Sequence, residues 1–312
     1  MRRILFDDKA QKELLQRGYV KVPFLSAKEV SLLLEGLEQL HLNNKFNIKN
    51  EDDSQPGYYY SILDEDIDYK RKATEYIQKI FAPHVERLFD GYKILTSSFF
   101  VKPPQGGFLD THQHFPVTTN INDISVIIWC PLVDVDESNG TLQVVEGSHK
   151  IVPGVLAYGY PPFFSQYSDV IKKCSKPIPA KAGEAIIFDN NLIHWSTENT
   201  THQYRHTAQV LAIPAEKQAV FYYFDKNLPD KFEVFEINNE FFIEQILLEL
   251  LEKRPENLNS LGFIKNENQP ISEETFISML KKGKGLLPEI HFIKEEKKQK
   301  INWLAKIKTM FR

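Results

Sequence analysis

Between residues 92 and 214 the chain keeps returning to one kind of segment. "YKILTSSFFVK", "ISVIIWCPLV", "GTLQVVEG", "GEAIIFD" and "RHTAQVLAIPA" are short, rich in β-branched and aromatic residues, and divided by Pro, Gly, Asn and Asp. Such side chains suit a pleated, buried surface, and the residues between them suit turns. Short strands at regular spacing, with no helical pattern between them, predict a β-sandwich or a closed jelly roll.

The flanks follow a different period. "KELLQRGYVKVPFLSAKEVSLLLEGLEQL" predicts a short helix, a strand over residues 19–22 and a second helix. Ser26 and Glu29 form a capping box at the start of that second helix, and Val30, Leu33, Leu34, Leu37 and Leu40 give it one apolar face for packing on the outside of a sheet. Residues 43–57 are polar and end at Pro56-Gly57, a loop, before an amphipathic stretch over 69–89. From about Phe232 the pattern predicts a return to helix, with "NEFFIEQILLELLEKR" starting at Asn239 and "SEETFISMLKK" capped by Ser272. The fold class is therefore mostly β with helical additions: a jelly-roll domain with N-terminal framing helices over residues 1–225, and a helical C-terminal extension over 226–312. The extension ends in "IKEEKKQKINWLAKIKTMFR", a basic amphipathic segment suited either to its own domain's surface or to peripheral contact with an anionic membrane or a protein partner.

Bulk properties narrow the function. A formal net charge of −4 over 312 residues gives no broad positive field for nucleic acid. The longest apolar runs, such as "ISVIIWCPL", are too short for a transmembrane span. Cys130 and Cys174 lack C-x-x-C spacing, and the N-terminal residues turn acidic before any apolar signal region develops, so the expectation is a cytoplasmic protein with reduced thiols.

Chemistry concentrates in histidines. In "FLDTHQHFPVTTN", His112 and His114 are two residues apart, and strand alternation puts them on one face together with Asp110. His194 follows the apolar run of "GEAIIFDNNLIHWS" and offers a third imidazole from another strand. Three protein ligands with open positions would make a catalytic metal site; two core histidines and one surface histidine are the competing arrangement. Arg205, eleven residues after His194, and Thr207 on the same strand face could clamp the carboxylate of an acid co-substrate, although a surface ion pair is the commoner use of a lone arginine. His41, His84 and His291 stand alone and are expected to be ordinary polar residues.

Together these segments resemble the phytanoyl-CoA dioxygenase family of Fe(II)- and 2-oxoglutarate-dependent oxygenases. "GYVKVPFLSAKEV" is similar to the family's opening strand and capped helix, "NGTLQVVEGSHK" to its turn, strand and G-S-H-K segment, and "GEAIIFDNNLIHWSTEN" to the strand with its distal histidine. With Arg205 the likeness covers roughly residues 12–214. It implies a double-stranded β-helix, a cupin-like jelly roll with iron near one mouth. It further implies His112 as proximal ligand, His194 as distal ligand, Arg205 as partner of the 2-oxoglutarate C5 carboxylate and Thr207 as a second contact there. The implied reaction consumes O2 and oxidises a small-molecule substrate, with succinate and CO2 as co-products.

One residue departs from the family pattern. The proximal motif is H-x-D, and this chain has His114 where the aspartate would stand. Three arrangements follow, in order of preference: His114 ligates and the site is a three-histidine one; the site is catalytically silent or differently metallated, leaving a jelly-roll binding protein; or Asp110 supplies the carboxylate from two residues upstream. Halogenating relatives carry a small residue at this position, so a large imidazole points to hydroxylation or a related oxidation. Lys102, in "FFVKPPQGG", is a further candidate for binding an anionic substrate or co-substrate. The turn-rich segment after Lys150 holds Tyr158, Tyr160, Phe163, Phe164 and Tyr167, which would either form a substrate lid or pack the loop down. "DVDESNG" lacks the ligand spacing of a calcium loop and predicts a turn.

Overall fold

The structure, a computed structural model, describes residues 2–40, 57–120 and 122–282. In chain order the elements are α1 (Asp8–Arg17), β1 (Tyr19–Pro23), α2 (Ala27–Leu40), β2 (Tyr59–Tyr60), α3 (Ile67–Leu88), β3 (Tyr92–Lys102), β4 (Leu109–His112), β5 (Val126–Pro131), β6 (Leu142–Val144), α4 (Ser168–Cys174), β7 (Lys176–Pro177), β8 (Glu184–Asp189), β9 (His194–Ser196), β10 (Arg205–Pro214), β11 (Ala219–Tyr223), β12 (Lys231–Ile237), α5 (Asn239–Glu244), β13 (Ser260–Lys265) and α6 (Glu273–Lys282). A six-stranded sheet in the order β1-β8-β5-β10-β3-β2 and a four-stranded sheet in the order β4-β9-β6-β7 make the jelly roll, all pairs antiparallel.

The larger sheet is buried on both faces, which is why its central strand β5 is apolar without a polar alternate. In β5 the side chains of Val126, Ile128 and Cys130 meet the helices, while Ile127 and Trp129 point into the roll. Leu33 and Leu37 of α2 and Ile77 and Phe81 of α3 cover the outer face, as the apolar stripe of α2 predicts. The same alternation operates in β3 and β10. Phe99, Val101, Ala208 and Val210 join the helix-side core, leaving Thr96, Ser98 and Phe100, and Arg205 and Gln209, for the interior.

The capping box forms as the sequence predicts. The Glu29 amide donates to Ser26 Oγ at 3.3 Å, and the Ser26 amide donates to Glu29 Oε2 at 2.7 Å. Burial alone would raise the Glu29 pKa, but hydrogen bonds from Ser26 and the contact with His84 bring it down to about 2. A depressed carboxylate contributes stability that is fully present above its ordinary pKa of 4.5 and is lost as the pH falls towards 2. Ser26→Ala is therefore expected to cost about 1 kcal/mol at pH 7, with the deficit shrinking between pH 4.5 and 2 in urea unfolding curves.

The region after 225 differs from the expected helical extension. Phe232 lies in β12, and β11, β12 and β13 form a three-stranded antiparallel sheet. The run begun at Asn239 is helical only to Glu244: Gln245 turns extended, and its carbonyl accepts from the buried Lys70 ammonium at 2.9 Å. Leu247, Leu250 and Leu251 then bury against β11 and β12 without continuing the helix. α6 starts where Ser272 predicts, with the Thr275 amide donating to Ser272 Oγ at 3.2 Å. The basic segment after residue 282, with His291, and the polar stretch with His41 lie outside the described residues.

The aromatics after Lys150 mainly pack that segment down. Phe164 and Tyr167 stack on Phe276 of α6 with ring centroids 4.6 and 5.3 Å apart, and Tyr160 meets Phe232 of β12 edge-on. Tyr158 alone of the five turns into the cavity described below. Residues 137–139 form a single helical turn capped by Asp136, consistent with a turn.

Candidate metal centre

β4 and β9 pair in a register that sets His112 directly opposite His194. Opposed residues of an antiparallel pair hold their Cβ atoms about 4.5–5.5 Å apart, so two sequence-distant imidazoles become neighbours, with ring centroids 4.1 Å apart. His114 follows two residues after β4 ends, its amide donating to the Asn190 carbonyl at 3.1 Å. Its ring centroid is 5.4 Å from that of His112 and 4.8 Å from that of His194. One nitrogen from each of the three rings lies within 4.8 Å of the others.

The partners of the opposite ring nitrogens decide what these histidines can do. His112 Nδ1 donates to the Asp110 carbonyl at 2.7 Å, and His194 Nδ1 donates to the Leu192 carbonyl at 2.8 Å. His114 Nδ1 lies 3.2 Å from Asn190 Oδ1, whose amide nitrogen donates to the Phe115 carbonyl at 2.8 Å; that second bond fixes the oxygen towards the histidine. Each ring is thereby held as the tautomer with a bare Nε2 facing the cluster. Burial pushes all three pKa values down, to about 3 for His114 and well below the usual range for His194, so all three rings are neutral at pH 7. Three neutral imidazoles with converging lone pairs are a metal-ion donor set.

Asp110 does not join them. Its carboxylate accepts from the Thr111 amide at 2.8 Å and from Ser168 Oγ at 2.9 Å, and it faces Lys172 of α4 at 3.4 Å. An irregularity in the pairing between Leu109 and His112 breaks the simple alternation that would put Asp110 on the histidine face. Its contribution is the main-chain oxygen that fixes the His112 tautomer.

The histidines line a cavity open to solvent, and Arg205 lines the same cavity. The Arg205 guanidinium is 1% exposed, lies over the rings of Phe100 and Trp129, and meets no carboxylate among the described residues. One Nη donates to Thr207 Oγ1, while Nε has no partner. Burial brings its pKa down to about 9, which leaves it charged at pH 7. Thr207 is off the cavity wall and holds the arginine in place.

Lys102, opposite Arg205 in the β3–β10 register, is fully buried beside it. Its ammonium donates to Ser196 Oγ at 2.6 Å and to the Thr197 carbonyl, and burial, then the Arg205 charge, depress its pKa strongly. Ser196 lines the cavity and was not singled out in the sequence, although it shares a strand face with His194 two residues away. Asn190 was also missed, since its partner is 76 residues distant.

Residues 14–207 match the family model described as phytanoyl-CoA dioxygenase. A curated relative, a probable alpha-ketoglutarate-dependent hypophosphite dioxygenase of Stutzerimonas stutzeri, is 25% identical over 158 residues, which is 45% of this chain and 52% of the relative. The chain thus spans about half the length of that relative. Among solved structures, the non-heme alpha ketoglutarate dependent carbocyclase SnoK from nogalamycin biosynthesis superposes with a TM-score of 0.50 at 18% identity, covering 69% of this chain and 86% of the other. The epimerase SnoN, in complex with Fe3+, alpha ketoglutarate and nogalamycin RO, gives 0.50 at 17% identity over 68% and 85%. These two likenesses concern the fold. The family match takes in all three histidines and Arg205, and by it the chain belongs to the phytanoyl-CoA dioxygenase family.

Proposed function

We propose that the protein is a non-haem iron, 2-oxoglutarate-dependent oxygenase that hydroxylates or otherwise oxidises a small molecule through a three-histidine metal site. The observation that carries this reading is the pairing, in one cavity, of three neutral imidazoles with bare Nε2 atoms and a buried guanidinium without a carboxylate. His112, His114 and His194 would hold Fe(II). Arg205, positioned by Thr207, would receive the far carboxylate of 2-oxoglutarate, with Ser196 on the wall and Lys102 bonded behind it. When bound, iron with 2-oxoglutarate and O2 supplies the oxidant, with succinate and CO2 as co-products.

The chain's own groups account for orientation and dryness. The Asp110 and Leu192 carbonyls and the Asn190 amide oxygen hold the rings, and Phe188 packs on His194 with centroids 4.9 Å apart. Trp129 and Phe100 keep water from the guanidinium, which strengthens its pull on an anion. His114 in place of a carboxylate leaves the donor set one negative charge short, which favours Fe(II) over Fe(III).

Anaerobic Fe(II) with 2-oxoglutarate is expected to give the weak visible charge-transfer band of this chelate, and aerobic incubation to release succinate. The iron(III)/iron(II) potential of the natural protein is expected to lie above that of His114→Asp. No band and no succinate would overturn the reading; succinate from His114→Asp alone would make the natural site a binding site only.

A further inference from the structure

The cavity is longer than a metal and a co-substrate need. Along β10 the wall runs from Arg205 through Gln209 to Leu211, about 20 Å at the rise of a strand. Beyond Gln209 it is closed by Val220 and Phe221 of β11, Ile237 of β12 and Phe242 of α5, all past the end of the family match at residue 207. Aromatic rings dominate this chamber. Phe115 and Tyr158 stack at 4.0 Å, Tyr58 and Phe100 stack at 4.8 Å, and Phe221 lies 4.6 Å from Tyr158.

Two features of the wall define what such a chamber accepts. Among the described lining residues there is no Asp, Glu or Lys, and Arg205 is the one arginine. An anion seated beyond Gln209, away from the metal and with Arg205 engaged by the co-substrate, would lie in an apolar space without a counter-charge, which costs several kcal/mol. A cation would likewise meet no carboxylate. The second feature is a polar strip on neighbouring strands: Gln209 Nε2 donates to Tyr60 Oη at 2.7 Å, Ser98 bonds to the same Tyr60, and Ser98 stands opposite Gln209 in the β3–β10 register. Next along β3, Thr96 is 6% exposed, lines the cavity, and its hydroxyl has no hydrogen-bond partner. A buried hydroxyl without a partner is uncommon and marks a place where a ligand atom completes the bonding.

We infer that the substrate is an uncharged molecule with an apolar, ring-bearing body, and that it presents one hydroxyl-type group to the Thr96–Gln209 strip. This rests on the oxygenase reading only for the assignment of Arg205 to the co-substrate. It places molecules that would carry a charged group into the chamber beyond Gln209 outside the substrate class. Thr96 and Gln209 are specificity-determining residues, distinct from the groups that hold the metal.

The test uses the full-length, metal-free protein and three fluorescent probes of one shape: 2-naphthol, 2-methylnaphthalene and 2-naphthoate. Naphthol is expected to bind about tenfold more tightly than methylnaphthalene, because only the hydroxyl completes the strip. Thr96→Val and Gln209→Leu, each checked for native circular dichroism, are each expected to bring that ratio close to one while methylnaphthalene binding is retained. Naphthoate binding is expected to depend on the free guanidinium and to fall at least tenfold in Arg205→Leu. Equal binding of naphthol and methylnaphthalene, or ratios unmoved in both variants, would overturn the inference. Naphthoate binding that survives Arg205→Leu would also overturn it by revealing a second anion site. None of these readouts needs iron or turnover, so a failure of the oxygenase reading shows in the succinate assay and a failure of the substrate class shows here.

Discussion

His194→Ala is expected to abolish succinate formation and to weaken Fe(II) binding by more than about 100-fold. Loss of an outer partner of a metal ligand costs about 10–100-fold, so loss of the ligand itself costs more. His194 is the most buried of the three histidines at 2% exposure, and its ring sits between His112, His114 and Phe188. No described carboxylate can take its place, since Asp110 is committed to Ser168 and Lys172. The fold should persist, because the space left is continuous with the open cavity and water can fill it. Metal titration by calorimetry, with circular dichroism as the control, reads both effects. Fe(II) affinity within threefold of the natural protein would mean that His194 is not a ligand.

Arg205→Met is expected to move stability and co-substrate binding in opposite directions. A buried, uncompensated guanidinium costs several kcal/mol of desolvation. Against this stand two ring contacts at about 0.5–2 kcal/mol each and one hydrogen bond to Thr207 at about 0.5–1.5 kcal/mol. Desolvation wins, so the empty variant should be more stable by about 1 kcal/mol, a rise of a few degrees in Tm. The same change should raise the KM for 2-oxoglutarate by about 150-fold, since truncating one partner of a buried charge pair costs roughly 3 kcal/mol. With metal present, 2-oxoglutarate at 100 times the natural protein's Kd should stabilise that protein by about 2.7 kcal/mol and the variant by only about 0.3 kcal/mol. Differential scanning fluorimetry with and without ligand separates the terms; a variant that is less stable when empty and shifted by 2-oxoglutarate as far as the natural protein would remove Arg205 from the site.

The clustering of the candidate ligands was legible because its geometry is local. Strand alternation and the short spacing from His112 to His114 need only the chain itself, and the apolar run before His194 identifies a strand whose end reaches the roll's mouth. Asp110 was placed with them by the same rule, and the pairing irregularity after Leu109 defeats it. Asn190 acts across 76 residues and Lys102 across 94, and no pattern in one sequence connects such positions. Helices α2 and α3 were legible from a 3.6-residue apolar period that faces one large partner. The sheet β11-β12-β13 was not: "KFEVFEI" spaces its apolar residues by both two and three, and the register shift between Val234 and Phe235 interrupts the alternation that would have marked a strand.

The far wall of the cavity comes from β11, β12 and α5, later in sequence than every candidate ligand of metal and co-substrate. Part of the chamber is thus built by a stretch of chain that carries none of the candidate ligands of metal or co-substrate. Substitutions after residue 207 can therefore reshape this far wall while the three histidines and Arg205 stay as they are. For an engineer, the same arrangement makes Phe221, Ile237 and Phe242 the positions at which to begin a library aimed at new substrates.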